Sequence, residues 1–336
     1  MSKVKISEVA AEAGVAISTA SKALNGTGAI SPDTVKRIEE AAERLGYKPN
    51  RAAQFLAGKN KRIGIILPDE PCEVMDPMVD GLIEALDEYV NFGFRYTIRH
   101  YDRTSPKPEV FTDAFNSIKD SINGLIFIPS FDISTYREPL IKSGLPMISL
   151  QISVDDSFCK SVTVDERMVG RMAAEFLSLF DSVRKVAMIA GDRSASIHRM
   201  NTEGFTAEAD ARGLSVIDIL DSYDSMDKAY ELTSALIERR SELDGIFVSS
   251  YVSPAVCRCL EERGLAGKIK VIGVDIFDRS AECLRRGSLS AIIYHNQREQ
   301  ARRSVIELIS LMREGRAEDV HIKPELVLQS NMSFYI

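Results

Sequence analysis

The sequence predicts an α/β protein. An all-α segment with a helix-turn-helix pattern is followed by a larger body built on parallel sheets in two similar lobes. Three observations lead there. Apolar spacing is helical over residues 1–48. From Arg62 onward, short apolar runs alternate with amphipathic helical stretches, the signature of parallel sheets covered by helices. That alternation runs once over residues 63–150 and restarts over 186–274, which suggests two similar lobes. A chain of 336 residues also exceeds what one hydrophobic core serves.

The headpiece elements follow in order. Ile6, Val9, Ala10 and Ala13 recur at helical spacing, with Ser7 as the expected cap and Gly14 as the stop. A second short helix fits Ile17 to Leu24 and ends at Asn25-Gly26. Two short helices joined by a glycine-containing turn form the helix-turn-helix pattern. Ala10, Ala20 and Ala23 permit close helix crossing. Ser31-Pro32-Asp33 opens a third helix with Val35, Ile38, Ala41, Ala42 and Leu45 on one face. The start of the second helix offers Ile17, Ser18 and Thr19, with Ser21 and Lys22 following, short or polar groups suited to base edges, a thymine methyl or phosphates. The alternative is a bundle that binds protein or nothing. Residues 50–58 then fit one short helix, too short to be stable alone. It is either a DNA minor-groove element or a linker.

In the body, strands fit residues 63–68, 94–99, 125–128, 147–150, 186–190, 215–220, 246–249 and 271–274. Helices fit 107–120, 134–143, 166–180, 201–212, 225–240 and 253–264. A further helix is capped by Asp76-Pro77 and carries Val79, Leu82, Ile83, Leu86 and Tyr89. A ligand site is expected beyond the carboxyl ends of the strands, between the lobes.

Composition bounds the function. Residues 1–62 carry eleven basic and six acidic side chains, whereas the remainder carries 31 basic and 43 acidic. A basic module on an acidic body suits a polyanion at one end only, although a chance fluctuation gives the same counts. No run approaches the length of a bilayer span, and the start lacks a signal-peptide core. Five scattered cysteines, at 72, 159, 257, 259 and 283, argue for a reducing cytoplasm. No enzyme signature, cofactor loop or metal cluster emerges. Gly26-Thr27-Gly28 lacks the strand context of a dinucleotide loop, and Cys257 and Cys259 would not share a helix face.

These residues carry a resemblance. Val9-Ala10, Ala13-Gly14-Val15, Thr19, Ser21, Leu24-Asn25, Val35, Leu45-Gly46-Tyr47 and Pro49-Asn50 resemble the headpiece of the LacI/GalR family of bacterial transcriptional repressors. Arg51, Ala53-Gln54 and Leu56-Ala57-Gly58-Lys59 resemble its hinge. Weaker matches in the body include Gly81, Gly124-Leu125-Ile126, Val164-Asp165, Gly170, Gly204-Phe205, Gly273 and Asp275. The resemblance covers nearly the whole chain.

It implies a headpiece over residues 1–48, a hinge over 49–61 and an effector-binding, dimerising body over 62–336 with the two-lobed fold of a type 1 periplasmic-binding-protein sensor. The first lobe would span 62–161 and 291–320, and the second 162–290 and 321–336. Ile17, Ser18 and Lys22 would read the major groove. Thr19, Ser21, Asn25, Thr34 and Asn50 would hold the DNA backbone, and Ala53, Gln54 and Leu56 would enter the minor groove. The resemblance implies a homodimer on palindromic operator DNA. The last residues lack the Leu heptads of tetrameric members. In the cleft it implies Asp275 as an effector-binding carboxylate, with Arg199, Asn201 and His295 at or beside further family ligand positions, for a small molecule of carbohydrate type. Tyr251, Phe131 and Phe277 either supply aromatic faces to a sugar ring or pack in the core.

Some positions depart from the family pattern. Asn201 stands where Arg is usual, Glu166 where Asn is usual, and His295-Asn296 where Gln leads. Asp69, Glu70 and Glu73 are expected near the cleft mouth. The reading is a cytoplasmic, ligand-responsive repressor that is not an enzyme. Its alternatives are an activator or corepressor-dependent regulator of the same fold, or a sugar receptor without a DNA role.

Overall fold

The computed structural model describes residues 4, 6–24, 30–45, 47, 61–69, 72–102, 105, 107, 109–129, 135–154 and 158–336. The chain divides into a unit of residues 1–59 and a unit of residues 60–336. Asn25, Asn50, Ala53, Gln54, Leu56, Glu70 and Phe131, named above, lie outside the described residues.

The first unit holds α1 (Ile6–Glu12), α2 (Ile17–Leu24) and α3 (Pro32–Leu45). The α2 bounds are those the sequence predicts. Gly14 ends α1 in a left-handed turn, φ 63°. There the Val15 N–H bonds to the Ala10 carbonyl and the Gly14 N–H to that of Ala11. Ser7 lies inside the first turn of α1, so it is not the residue before the helix that a cap requires. Ser31 does cap α3, its hydroxyl accepting from the Thr34 N–H at 3.4 Å. The core is built from small side chains, Val9, Ala10, Ala13, Ala20, Ala23, Ile38, Ala41 and Ala42, which let three short helices pack closely.

The second unit holds two six-stranded sheets. The strands are β1 (Lys61–Pro68), β2 (Phe94–Tyr101), β3 (Gly124–Phe127), β4 (Met147–Gln151), β5 (Lys160–Val164), β6 (Lys185–Ala190), β7 (Ser215–Asp221), β8 (Gly245–Val248), β9 (Lys270–Val274), β10 (Ala291–Tyr294), β11 (Val320–Ile322) and β12 (Glu325–Val327). The first sheet has the order β11-β5-β4-β3-β1-β2 and the second β12-β10-β9-β8-β6-β7. The helices are α4 (Cys72–Asp87), α5 (Glu109–Asn116), α6 (Arg137–Ser143), α7 (Glu166–Ser178), α8 (Ser196–Ala211), α9 (Met226–Arg239), α10 (Ser253–Glu262), α11 (Asp278–Arg286) and α12 (Gln297–Glu314).

Helix α4 starts at Cys72, ahead of the expected Asp76-Pro77 cap, and Pro77 sits inside it. The expected crossings at 161, 290 and 320 each fall short of a strand end. β5 remains in the first sheet to Val164, β10 in the second to Tyr294, and β11 in the first to Ile322.

All neighbours are parallel except β12 on β10. The reason is directional. β11 runs alongside β5 toward the carboxyl ends of the first sheet, and two residues later the chain is in the second sheet. It enters from the carboxyl-end side and so runs against β10.

Within the second lobe, α7 crosses α8 at two glycines. A Cβ on Gly170 would lie 2.1 Å from the Asn201 carbonyl oxygen, and one on Gly204 would lie 2.1 Å from that of Arg167. Both neighbours are backbone, so neither can swing away. Gly170→Ala should therefore lower folding stability by about 1–3 kcal/mol or more, read as a reduced urea midpoint at unchanged slope. An unchanged midpoint would contradict this close approach.

Candidate functional site

Each unit presents a candidate surface. In the first, Ala20 and Ala23 turn inward, and α2 leaves Ile17, Ser18 and Lys22 exposed. Ile17 is 54% exposed, an unusual setting for a large apolar residue with a small core beside it. Ser18 and Lys22 are four apart on one helix face. Thr19 and Ser21 are half-buried. Thr34 is half-buried in the first turn of α3, its hydroxyl 2.8 Å from that of Ser31.

In the second unit, the carboxyl ends of both sheets meet at a cavity of 130 Å³. Gln151, Met75 and Gln300 face it from the first lobe, and Glu166, His198, Asp224, Ser249, Ser250, Tyr251 and Asp275 from the second. His295 and Gln297 face it from the segment between β10 and α12. The backbone there is bent by residues other than glycine. Gln151, Tyr223, Asp224, Asp275 and Asn296 all have φ between 52° and 67°, and together they are the positive-φ residues recorded outside glycine. Such conformations cost of order 1–3 kcal/mol each and concentrate where side chains must be aimed.

The aiming is visible residue by residue. Asp275 follows β9, its N–H bonded to the Ile293 carbonyl at 3.0 Å. The Ser280 hydroxyl accepts from the Phe277 N–H at 2.9 Å and lies 3.0 Å from the Asp275 carbonyl oxygen, fixing that turn. Asn296 caps α12 by accepting from the Glu299 N–H, which places His295 just before the helix and Gln297 and Gln300 on one face of it. Asp165 caps α7 by accepting from the Met168 N–H, and Glu166 follows as the first helical residue. Gly191 leaves room for the opposite wall. A Cβ there would lie 2.3 Å from His198 Nε2 and 2.4 Å from Asp224 Oδ1.

These groups form two linked clusters. His295 Nδ1 is 2.7 Å from Asp275 Oδ1, and its Nε2 is 3.6 Å from Glu166 Oε2. Gln297 Nε2 donates to Asp275 Oδ1 at 2.6 Å, and Gln300 Nε2 to the His295 carbonyl at 2.8 Å. Asn201 Nδ2 donates to Glu166 Oε2 at 2.8 Å from behind. Opposite, Ser250 donates to Asp224 Oδ1 at 2.6 Å, with His198 Nε2 3.6 Å from the same oxygen. Burial alone would pull the His295 pKa down. The Asp275 and Glu166 carboxylates outweigh it and hold the pKa well above the ordinary imidazole value. Burial, with Asp275 nearby, likewise pushes the Tyr294 hydroxyl up to about 12. Among the described residues Gln297 Oε1, Gln300 Oε1 and Ser249 Oγ are buried without a hydrogen-bond partner, an arrangement that a bound polar ligand would relieve.

Asp275, His295 and Tyr251 are thus brought together as the sequence predicts. Asn201 stands one layer back, on Glu166. Arg199 is corrected: it points to solvent and donates to the Ser194 carbonyl at 3.3 Å. Two positions apart on a helix, Arg199 and Asn201 face different ways, and Asn201 takes the inside. Phe277 is buried at the start of α11, outside the cavity lining, so it offers no ring face there. Glu73 bonds Arg279 at 3.0 Å, and Asp69 lies 3.7 Å from His100. The sequence reading missed Glu166, His198, Asp224, Gln297 and Gln300 as site residues. Of these, Glu166 had a signal, its departure from the family pattern.

Comparison with known proteins places this architecture. Residues 63–316 match the periplasmic binding protein domain, and residues 5–50 match the bacterial regulatory proteins of the lacI family. The chain belongs to the LacI family of regulators, in which a DNA-binding headpiece precedes a periplasmic-binding-like body. Its class is that of ligand-responsive DNA-binding transcriptional repressors.

Among particular relatives, it is 28% identical over 280 residues to catabolite control protein A of Priestia megaterium, covering 81% of this chain and 82% of that one. It is 27% identical over 252 residues to the ribose operon repressor of Halalkalibacterium halodurans, covering 74% and 72%. Among solved structures, the fold matches a solute binding protein of Actinobacillus succinogenes with bound D-allose at TM-score 0.74 and 16% identity, covering 82% of this chain and all of that one. It matches a LacI-type regulator of Bacteroides fragilis at TM-score 0.71 and 17% identity, covering 83% of this chain and all of that one. No helix among the described residues is long and apolar enough to cross a membrane.

The His295 cluster gives a pH prediction. A raised imidazole pKa stabilises the fold fully below about pH 6.5, the unfolded value. That contribution is lost as pH rises through the higher folded value. His295→Gln should cost on the order of 3 kcal/mol at about pH 6. Thermal melts of both proteins should converge as pH rises above that range. A gap that widens with pH would contradict the assignment.

Proposed function

We propose that the chain acts as a cytoplasmic homodimer, binds a near-palindromic operator through two headpieces, and is released from it by a small hydroxyl-rich effector, of carbohydrate type, held in the cleft. Residues 1–48 serve as the DNA-binding headpiece, 49–61 as the hinge and 62–336 as the sensor and dimerisation body. Ile17, Ser18 and Lys22 read base edges, because they are the exposed residues of α2. Thr19, Ser21, Asn25, Thr34 and Asn50 position the DNA backbone, and Ala53, Gln54 and Leu56 grip the minor groove.

In the cleft, Asp275, His295, Gln297, Gln300, Glu166 and Tyr251 hold the effector. The observation that carries the reading is the buried, unpartnered polar atoms between two lobes of a body that follows a DNA-binding headpiece in the same chain. A cavity of 130 Å³ is below the roughly 300–1,000 Å³ of drug-sized pockets, which suits a ligand of monosaccharide size. The relatives that carry regulator names support a binding role over turnover.

The coupling is mechanical. The first lobe begins at β1, directly after the hinge residues in sequence. Ligand that draws the lobes together shifts the start of β1 in each subunit, and with it the spacing of the two hinges.

Selection from a randomised duplex library with the full chain should enrich a palindrome. Binding to it should weaken steeply with salt, and Ser18→Ala should relax base preference at the matching position in each half-site. No enrichment, with or without added sugars and polyols, would overturn the regulator reading. Sedimentation at micromolar protein should show a dimer. A stable tetramer would contradict the assembly.

A further inference from the structure

Resting on the reading of the cleft as an effector site, we infer that the effector carries a protonated amine beside its hydroxyl groups, as an amino sugar or aminocyclitol does. The charge of the lining is the first ground. Three carboxyl groups, Glu166, Asp224 and Asp275, face the cavity with two imidazoles, His198 and His295. No lysine or arginine lines it among the described residues. Even with both imidazoles protonated, acidic groups outnumber basic ones. Among the described lining residues, a ligand bearing carboxylate or phosphate meets more carboxylates than cations, whereas an ammonium group balances the charge.

The second ground is hydrogen bonding and is independent of charge. Gln297 is 5% and Gln300 2% exposed, and both Oε1 atoms lack a partner among the described residues. Their amide orientation is fixed by chemistry. Each Nε2 bonds an oxygen that can only accept, the Asp275 carboxylate or the His295 carbonyl. Two buried acceptors on cavity-lining residues are therefore left without donors among the described residues. Both bonds to the Asp275 carboxylate, from His295 and Gln297, go to Oδ1 and leave its Oδ2 out of the pair. The site asks for donors, and an ammonium supplies three with no acceptor.

A metal ion answers the charge but not the geometry. No three His, Cys, Asp or Glu side chains converge on a metal-binding point among the described residues. Tyr251 adds an aromatic wall, which suits an organic cation.

Calorimetry on the full chain with matched pairs tests this. The pairs are glucose and glucosamine, galactose and galactosamine, mannose and mannosamine, and myo-inositol and its monoamino analogue. In at least one pair the amine should bind about tenfold or more tightly than the alcohol. Asp224→Asn, with its fold checked by circular dichroism, should reduce that ratio to about twofold or less. Neutral members that bind as well as or better than their amines would overturn the amine inference and leave the sugar-effector reading standing. A ratio unchanged in Asp224→Asn would also overturn it. Binding of neither series at millimolar ligand would overturn both readings together.

Discussion

The body depends on where the chain is allowed to cross. It passes from sheet to sheet after β5, after β10 and between β11 and β12, and each passage lies at the carboxyl ends of strands. Two of the three passages also carry the cleft chemistry. Glu166 opens the helix just after the first, and His295 and Gln297 bracket the second. Residues that line the cleft therefore sit beside the peptides at which the chain changes lobes. Under the proposed reading, binding and bending would share the same few peptides, and a ligand would need no separate relay to act on the lobe angle.

The headpiece was legible because its punctuation is local. Gly14, Asn25-Gly26 and Ser31-Pro32 mark helix ends within a few residues of the apolar pattern they interrupt, and α2 and α3 begin where those signals place them. In the body, Asp76-Pro77 gave the same kind of signal and misled. Proline is best tolerated in a helix's first turn, where no N–H is needed, so Asp76-Pro77 reads as a start, but the helix runs ahead of it from Cys72 and gives up the bond that residue 77 would donate. The crossing strands β5 and β10 were hidden for another reason. Each is short, and its sheet membership depends on partners more than ten residues away in sequence.

The cleft divided the same way. Asp275 matches the family pattern and His295 departs from it, and the structure brings both to the cavity with Tyr251. Helical geometry could have separated Arg199 from Asn201, since neighbours two apart cannot both face a cavity. His198, Asp224 and Gln300 offered no such handle. Their convergence rests on left-handed turns at Asp224, Asp275 and Asn296, and although Asp and Asn are enriched at positive φ, they adopt it too seldom for identity alone to announce it.

The Glu73–Arg279 pair joins α4 of the first lobe to α11 of the second, with both side chains about half exposed. An exposed pair contributes at most about 1 kcal/mol, too little to hold the lobes shut but enough to change an open-to-closed ratio by about fivefold. Like every solvent-facing ion pair, it fades as ionic strength rises. Contacts from basic side chains to a phosphate backbone fade under the same condition. Rising salt would thus weaken the contact between the lobes in one unit and the grip of the other unit on a duplex. Ordinary salt would then act on the same two functions that the proposed effector couples.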